Sequence, residues 1–314
     1  MSSVYSPQYL AESKTTILNV FHAISIVLEI SSTSIRLWSV RSRPSITAAF
    51  GFDDYLMIWA TIVAISECIS SLVYGAPYGL GEDLQSFMLV RPNFYSSGNY
   101  ISSHFYNFAI VFTKLSVLAL YYRIFATPGF RAIVVFTALL VFAWLITMEV
   151  VLGFECQPIQ AWWGAMSGTC LDEVTSADFN NILNLVSDLG ILLLPIPIIL
   201  GLAAHPDQKL SICLLFSLGL GTCAINAARL TVVVSEGASD ITWDEVPLGV
   251  LSAWEPCSGI LSANIPVTYR ALADAFSCKR LHERELLRQN SETSENQSPA
   301  ENDQWLQLEN NRCQ

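Results

Sequence analysis

The sequence predicts an all-α membrane protein: a bundle of seven transmembrane helices, with the N-terminus outside and the C-terminus cytosolic. Three observations carry that reading: the composition, the long apolar runs, and the side on which Lys and Arg accumulate. Of 314 residues, 52% are hydrophobic and 14% are charged, and the mean hydropathy is +0.44. An ordinary soluble domain carries about 25% charged residues. So much apolar surface finds no home in a soluble core. In a bilayer it does, because a helix of about 20 apolar residues crosses the hydrocarbon with every backbone hydrogen bond made internally.

The runs cover 17–37, 54–74, 101–124, 132–153, 179–202, 211–235 and 247–269. Span one is closed by Arg41-Ser-Arg43-Pro44, and span two, entered through Gly51-Phe-Asp-Asp-Tyr55, is closed by Gly75, Pro77, Gly79 and Gly81. Pro128 and Gly129 break the chain after span three, and the polar stretch from Cys156 to Asp178 follows span four. Span five contains Pro195 and Pro197 and ends before His205–Gln208; span six ends before Glu236–Glu245; span seven contains Pro256 and Pro266. Each internal proline removes a backbone hydrogen bond and tends to kink its helix. Three regions result: a short extracellular N-terminus over 1–16, the bundle over 17–272, and a largely disordered cytosolic tail over 273–314. Span one is expected to serve as its own insertion signal.

Orientation follows from the enrichment of Lys and Arg on the cytosolic side. Arg36, Arg41, Arg43, Arg123, Arg131, Lys209 and Arg270 fall at one set of helix ends, against Lys14 and Arg91 at the other. The second set is acidic instead, with Glu82, Asp83, Glu155, Asp172, Glu173, Glu236, Asp240, Asp244 and Glu245. The formal charge of -11 speaks against nucleic acid as a partner. The expected partners are the lipid bilayer, a small hydrophobic ligand and a cytosolic signalling protein. The protein is expected to be multi-pass, in the plasma membrane or an endomembrane.

Ionisable residues at membrane depth are the most informative, since each costs at least ~2.5 kcal/mol at a helix centre unless paired or hydrated. Counting about 1.5 Å per residue from the outer helix ends places Glu67, Asp188, Arg229 and Glu255 between the outer third and the midplane. Lys114 lies slightly deeper, Glu29 and Glu149 belong to spans one and four, and Asn184, Asn226 and Asn264 add amides. Pairing of Lys114 and Arg229 with these acids is the economical arrangement. The network reads equally as a packing device and as a ligand or proton site. Lys114, Asp188, Arg229, Glu255, Glu67 and Asn264 are therefore the candidate site residues.

The cysteines sort by compartment. Cys68, Cys213, Cys223 and Cys257 lie in spans and read as small packing residues, while Cys278 and Cys313 belong to the reduced cytosolic tail. Cys156 and Cys170 share one outer loop, where an oxidising environment and a short separation predict a disulfide. The sequence leans away from an enzyme without settling it: no His-x-x-x-His pair, no Gly-x-Ser-x-Gly elbow and no glycine-rich phosphate loop occurs.

Taken in order, several stretches resemble the fungal rhodopsin-domain family of seven-span membrane proteins. They are Gly51-Phe-Asp-Asp-Tyr55, Lys114-Leu-Ser-Val-Leu-Ala-Leu-Tyr-Tyr-Arg-Ile-Phe125, and Phe154-Glu-Cys-Gln-Pro-Ile-Gln-Ala-Trp162 with Cys170-Leu-Asp172. Asp188 through Pro195-Ile-Pro197 follows, then Lys209, Phe216-Ser-Leu-Gly219, Arg229, Asp240-Ile-Thr-Trp243, Glu255 and Asn264-Ile-Pro266. Asp53, Asp54, Arg123, Pro195 and Pro197 are the motif residues proper. The resemblance covers roughly 17–272. It implies either a receptor-like protein that binds a small or hydrophobic ligand in the outer half of the bundle, or a membrane-bound accessory protein or enzyme of a fungal toxin pathway. The family's name does not bring retinal with it. A retinal pigment needs a Schiff-base lysine in the last span, and 246–269 contains none, so no cofactor is expected. A transporter ranks last, because no inverted repeat is visible.

Overall fold

The computed structural model describes residues 15–41, 50–74, 92–125, 127–162, 166–171, 173–197, 206–235 and 246–269. Six helices are α1 (Thr15–Arg41), α2 (Phe52–Tyr74), α3 (Pro92–Ile124), α4 (Pro128–Gly153), α5 (Glu173–Leu193) and α6 (Pro206–Ser235), and a seventh, α7, covers 246–269. Between α4 and α5 a small antiparallel pair, β1 (Cys156–Gln157) and β2 (Thr169–Cys170), sets Cys156 opposite Cys170. Successive helices alternate in direction. Thr15, Gly153 and the hairpin mark one end of the bundle, while Arg41, Phe52, Ile124 and Pro128 mark the opposite end.

Four helical stretches, Thr15–Arg41, Phe52–Tyr74, Ser97–Ile124 and Pro128–Gly153, are long and apolar enough to cross a membrane. The expected seven spans exceed these four among the described residues. In α5, Asp178, Asn180, Asn181, Asn184 and Asp188 dilute an otherwise apolar run, and α6 carries Asp207, Lys209 and Arg229. The acidic loops expected around Glu82 and Glu236–Glu245, the tail from Arg270 and the side chain of Lys209 lie outside the described residues.

The helices turn polar residues inward and apolar ones outward. Along α1, His22, Ser25, Glu29, Thr33, Arg36 and Val40 are buried at intervals of three and four residues, whereas Val20, Ile24, Val27, Ile35 and Trp38 are exposed. On α4, Phe136, Leu139, Leu140, Phe142 and Ile146 are all exposed. An apolar belt of that extent is unfavourable in water and suits hydrocarbon. Two apolar clusters pack beside these polar stripes. Val111, Leu118, Tyr121, Phe130, Val141 and Ile191 join α3, α4 and α5, and Met57, Ala60, Ala109, Ile260 and Ala263 join α2, α3 and α7. Gly98 permits the close crossing of α2 and α3, since a Cβ there would lie 2.1 Å from Tyr74 Cβ.

The prolines behave in three ways. Pro128 and Gly129, expected as a break, open α4 instead, because a first-turn proline gives up an amide that the helix does not use. The preceding helix ends at Ile124. Span five, expected to reach 202, stops being a regular helix at Leu193, with Leu194 and Pro195 in a turn and helical residues only at 196–197 before the description ends. Pro195 has no N–H to return to the preceding turn. α7 runs on through Pro256 and Pro266.

Candidate functional site: a buried charge network among α3, α5, α6 and α7

On α3, Tyr106 and Lys114 lie two turns apart on one face. On α5, Asn184, Ser187 and Asp188 sit at the spacing that places side chains over one another, as do Asn226 and Arg229 on α6. Glu255 on α7 closes the ring. Lys114 Nζ stands 2.9 Å from Asp188 Oδ1 and donates to Asn184 Oδ1 at 2.5 Å, to the Asn184 carbonyl at 3.1 Å and to Ser187 Oγ at 2.6 Å. The indole of Trp144 lies 5.5 Å from the same ammonium.

Arg229 Nη1 donates to Glu255 Oε2 at 3.2 Å, and the guanidinium lies 4.2 Å over the ring of Tyr106, whose hydroxyl donates to Glu255 Oε2 at 2.5 Å. Asn184 Nδ2 donates to Glu255 Oε1, which ties the two ion pairs into one network. Asn226 Nδ2 donates to Asp188 Oδ2. Glu255 is 2% exposed and Lys114 6%, so the interactions are made without bulk solvent, where charge-assisted bonds are strongest and an unpaired charge most costly. Lys114, Asp188, Arg229 and Glu255, singled out by depth alone, thus come together. Tyr106 was not singled out.

Glu67 stands beside this network rather than within it. Its carboxylate accepts from Ser71 Oγ at 3.4 Å and Cys68 Sγ at 3.5 Å, and it is within electrostatic reach of both Arg229 and Glu29. Ser25 Oγ donates to Glu29 Oε1 at 3.2 Å and packs near Cys257 and the Ala253 carbonyl.

Asn264 belongs elsewhere. Nine residues beyond Glu255 on α7, it lies ~13 Å nearer the opposite end, where its Oδ1 is 3.4 Å from Arg36 Nη1 and its Nδ2 donates to Ser32 and Thr33. Counting depth in a composition of scattered amides failed to separate it from the first cluster. The centre of this second cluster is Arg36, read from the sequence only as one more basic helix end. Arg36 is fully buried; its Nε donates to Asp54 Oδ1 at 2.9 Å, its Nη2 to Asp53 Oδ2 at 2.7 Å and its Nη1 to the Ala263 carbonyl at 3.2 Å. Arg123, at the end of α3, pairs with Asp53 Oδ1 at 3.2 Å. The motif residues Asp53, Asp54 and Arg123 are thereby gathered at one helix end. The polar stripe of α1, His22, Ser25, Glu29 and Thr33, is the sequence signal that could have marked Arg36 as inward-facing.

Near the hairpin, His104 Nδ1 and Glu149 Oε2 are bonded, and Asn107 Nδ2 donates to the second oxygen of Glu149 at 3.2 Å. Cys156 and Cys170 form the disulfide expected of them. Pro195 forms part of the turn that ends α5, and Pro197 is at the edge of the described residues.

The fungal rhodopsin domain model matches residues 35–274, which takes in every helix described except most of α1, of which it covers only the end from Ile35. The chain belongs to the fungal rhodopsin domain family. Among its relatives, "Wortmanamides biosynthesis cluster protein C" of Talaromyces wortmannii is 27% identical over 229 residues, 71% of this chain and 61% of that protein. "Fugralins biosynthesis cluster protein 2" of Gibberella zeae is 27% identical over 182 residues, 54% of this chain and 44% of that protein. A "SAT4 family membrane protein" of Emericella nidulans is 30% identical over 155 residues, 47% of this chain and 41% of that protein. The chain matches between about two fifths and three fifths of the length of these relatives. Membrane residence of the family follows from the candidate spans and the relatives together.

Proposed function

We propose that this fungal rhodopsin domain is a receptor-like membrane protein. In this reading all seven helices cross the bilayer, the hairpin end faces outward and the Arg36 end faces the cytosol. A small or hydrophobic molecule binds among α3, α5, α6 and α7, and a cytosolic partner is engaged near Arg123. The plasma membrane and an endomembrane both fit.

The observation that carries the reading is a buried network that is charged and yet incompletely satisfied. Lys114, Asp188, Arg229 and Glu255 pair at membrane depth, while Arg229 Nε and Asn226 Oδ1 make no hydrogen bond among the described residues. Intramembrane charges of this kind mark functional sites by default. The orientation is supported by the disulfide at one end, which requires an oxidising compartment, and by Arg36, Arg41, Arg123 and Arg131 at the other.

A second reading is an accessory protein or enzyme of secondary metabolism, with an intramembrane acid moving a proton. It is favoured by the names of two relatives as biosynthesis cluster proteins. Metabolite profiles of a deletion strain and of a strain carrying Glu255→Gln separate the two. The receptor reading expects a lost response in both strains with no stalled intermediate. Accumulation of a pathway intermediate in the two strains overturns it in favour of the second.

A further inference from the structure

Besides the indole N–H of Trp144 on α4, two buried polar atoms at the network lack a hydrogen-bond partner among the described residues, and these two belong to α6: Oδ1 of Asn226 and Nε of Arg229. Their orientation is dictated by the anions they hold. A carboxylate only accepts, so Asn226 must point its amide nitrogen at Asp188 and turn its oxygen away. Arg229 commits Nη1 to Glu255 and its face to Tyr106, leaving the Nε–H over. Residues three apart on a helix have Cβ atoms about 5–6 Å from each other. One face of α6 therefore presents a hydrogen-bond acceptor beside a donor, each in surroundings where an unmade bond is unfavourable.

The charge balance narrows what these atoms meet. Lys114 is matched by Asp188 and Arg229 by Glu255, and Glu67 adds a further carboxylate within reach of Arg229. No cation is left over for an anionic ligand, and Asn226 Oδ1 would face a carboxylate oxygen as acceptor against acceptor. A neutral group that carries a carbonyl oxygen next to an N–H satisfies both atoms and disturbs neither ion pair.

Resting on the receptor-like reading, we infer that the ligand is a lipophilic carboxamide, whose carbonyl accepts from Arg229 Nε and whose N–H donates to Asn226 Oδ1. The hydrocarbon part lies among the apolar side chains of the bundle.

The test uses the full chain in lipid nanodiscs and three probes of equal chain length: dodecanamide, N,N-dimethyldodecanamide and dodecanoate. Saturable shifts of the melting temperature are compared between the wild type and the variants, which cancels partition into lipid. Each hydrogen bond lost should weaken binding about tenfold. Dodecanamide is expected to bind about tenfold more tightly than its dimethyl analogue, which has no N–H. Arg229→Lys keeps a cation opposite Glu255 but has no Nε–H, and should weaken dodecanamide by a similar factor. Asn226→Leu should remove the preference for the N–H, and it keeps the inference testable if Arg229→Lys does not fold.

Dodecanoate binding as tightly as the amide, or indifference to N-methylation, overturns the inference. If a saturable shift with any probe still vanishes in Glu255→Gln, the receptor-like reading survives that failure. With no saturable shift from any probe, both fall.

Discussion

The two charge clusters of the bundle are built from the same residue types and differ in how completely they are closed. Around Arg36 three guanidinium nitrogens meet two carboxylates, a backbone carbonyl and an amide oxygen, at zero exposure. Around Glu255 the ion pairs are less completely buried, with the Asp188 and Arg229 side chains 14% and 13% exposed, and among the described residues Arg229 Nε and Asn226 Oδ1 have no hydrogen-bond partner. The first arrangement clasps α1 to α2 and α7 and has nothing left to offer. The second tolerates unmet hydrogen-bonding capacity, which natural proteins confine to places where something other than stability is at stake.

That contrast can be broken most forcefully at Arg36. Arg36→Ala leaves Asp53 and Asp54 buried without their main counter-charge, and should lower stability by about 3–5 kcal/mol. Thermal unfolding in mild detergent measures it, and a loss of less than about 1 kcal/mol, the size of an exposed pair, would remove the clasp from the account. Next in size is the hairpin. Cys156→Ala with Cys170→Ala opens a loop of sequence separation 14 and should cost about 3 kcal/mol, read in the same assay with and without reductant. Smallest is Arg123→Ala. Its side chain is 39% exposed, so the pair with Asp53 is solvent-screened and its loss should cost no more than about 1 kcal/mol. A larger loss would make Arg123 part of the clasp rather than a rim residue.

How far the sequence reached into this picture depends on which coordinate is asked for. The seven helices among the described residues follow the order of the apolar runs, and four of them are long and apolar enough to cross a membrane. Helix ends were less legible: α3 begins nine residues before the expected start at 101, and α5 ends nine before the expected 202. Apolar runs mark hydrocarbon, whereas a helix can extend beyond it or lose its regularity within it, as at Leu194 and Pro195. Depth along each helix was legible too, which is why Lys114, Asp188, Arg229 and Glu255 were grouped. Azimuth and fine depth were not. Asn264 was placed with the wrong cluster and Arg36 with none, although the inward stripe of His22, Ser25, Glu29 and Thr33 pointed Arg36 at the core. The partners Tyr106 and Ser187 were invisible, since aromatic and hydroxyl residues are common throughout the chain and only the packing of α3 against α5 and α7 selects these two.

The central claim is that the Lys114–Asp188 and Arg229–Glu255 network exists for what it binds rather than for holding the bundle together. Replacing a buried ion pair by apolar side chains of similar size is often neutral or stabilising. The most direct measurement therefore takes the Lys114→Met, Asp188→Leu double variant, determines its melting temperature and compares its metabolite profile with those of the wild-type and deletion strains. The account predicts a protein that melts no lower than the wild type and a profile matching the deletion. A well-folded double variant with the wild-type profile would contradict it.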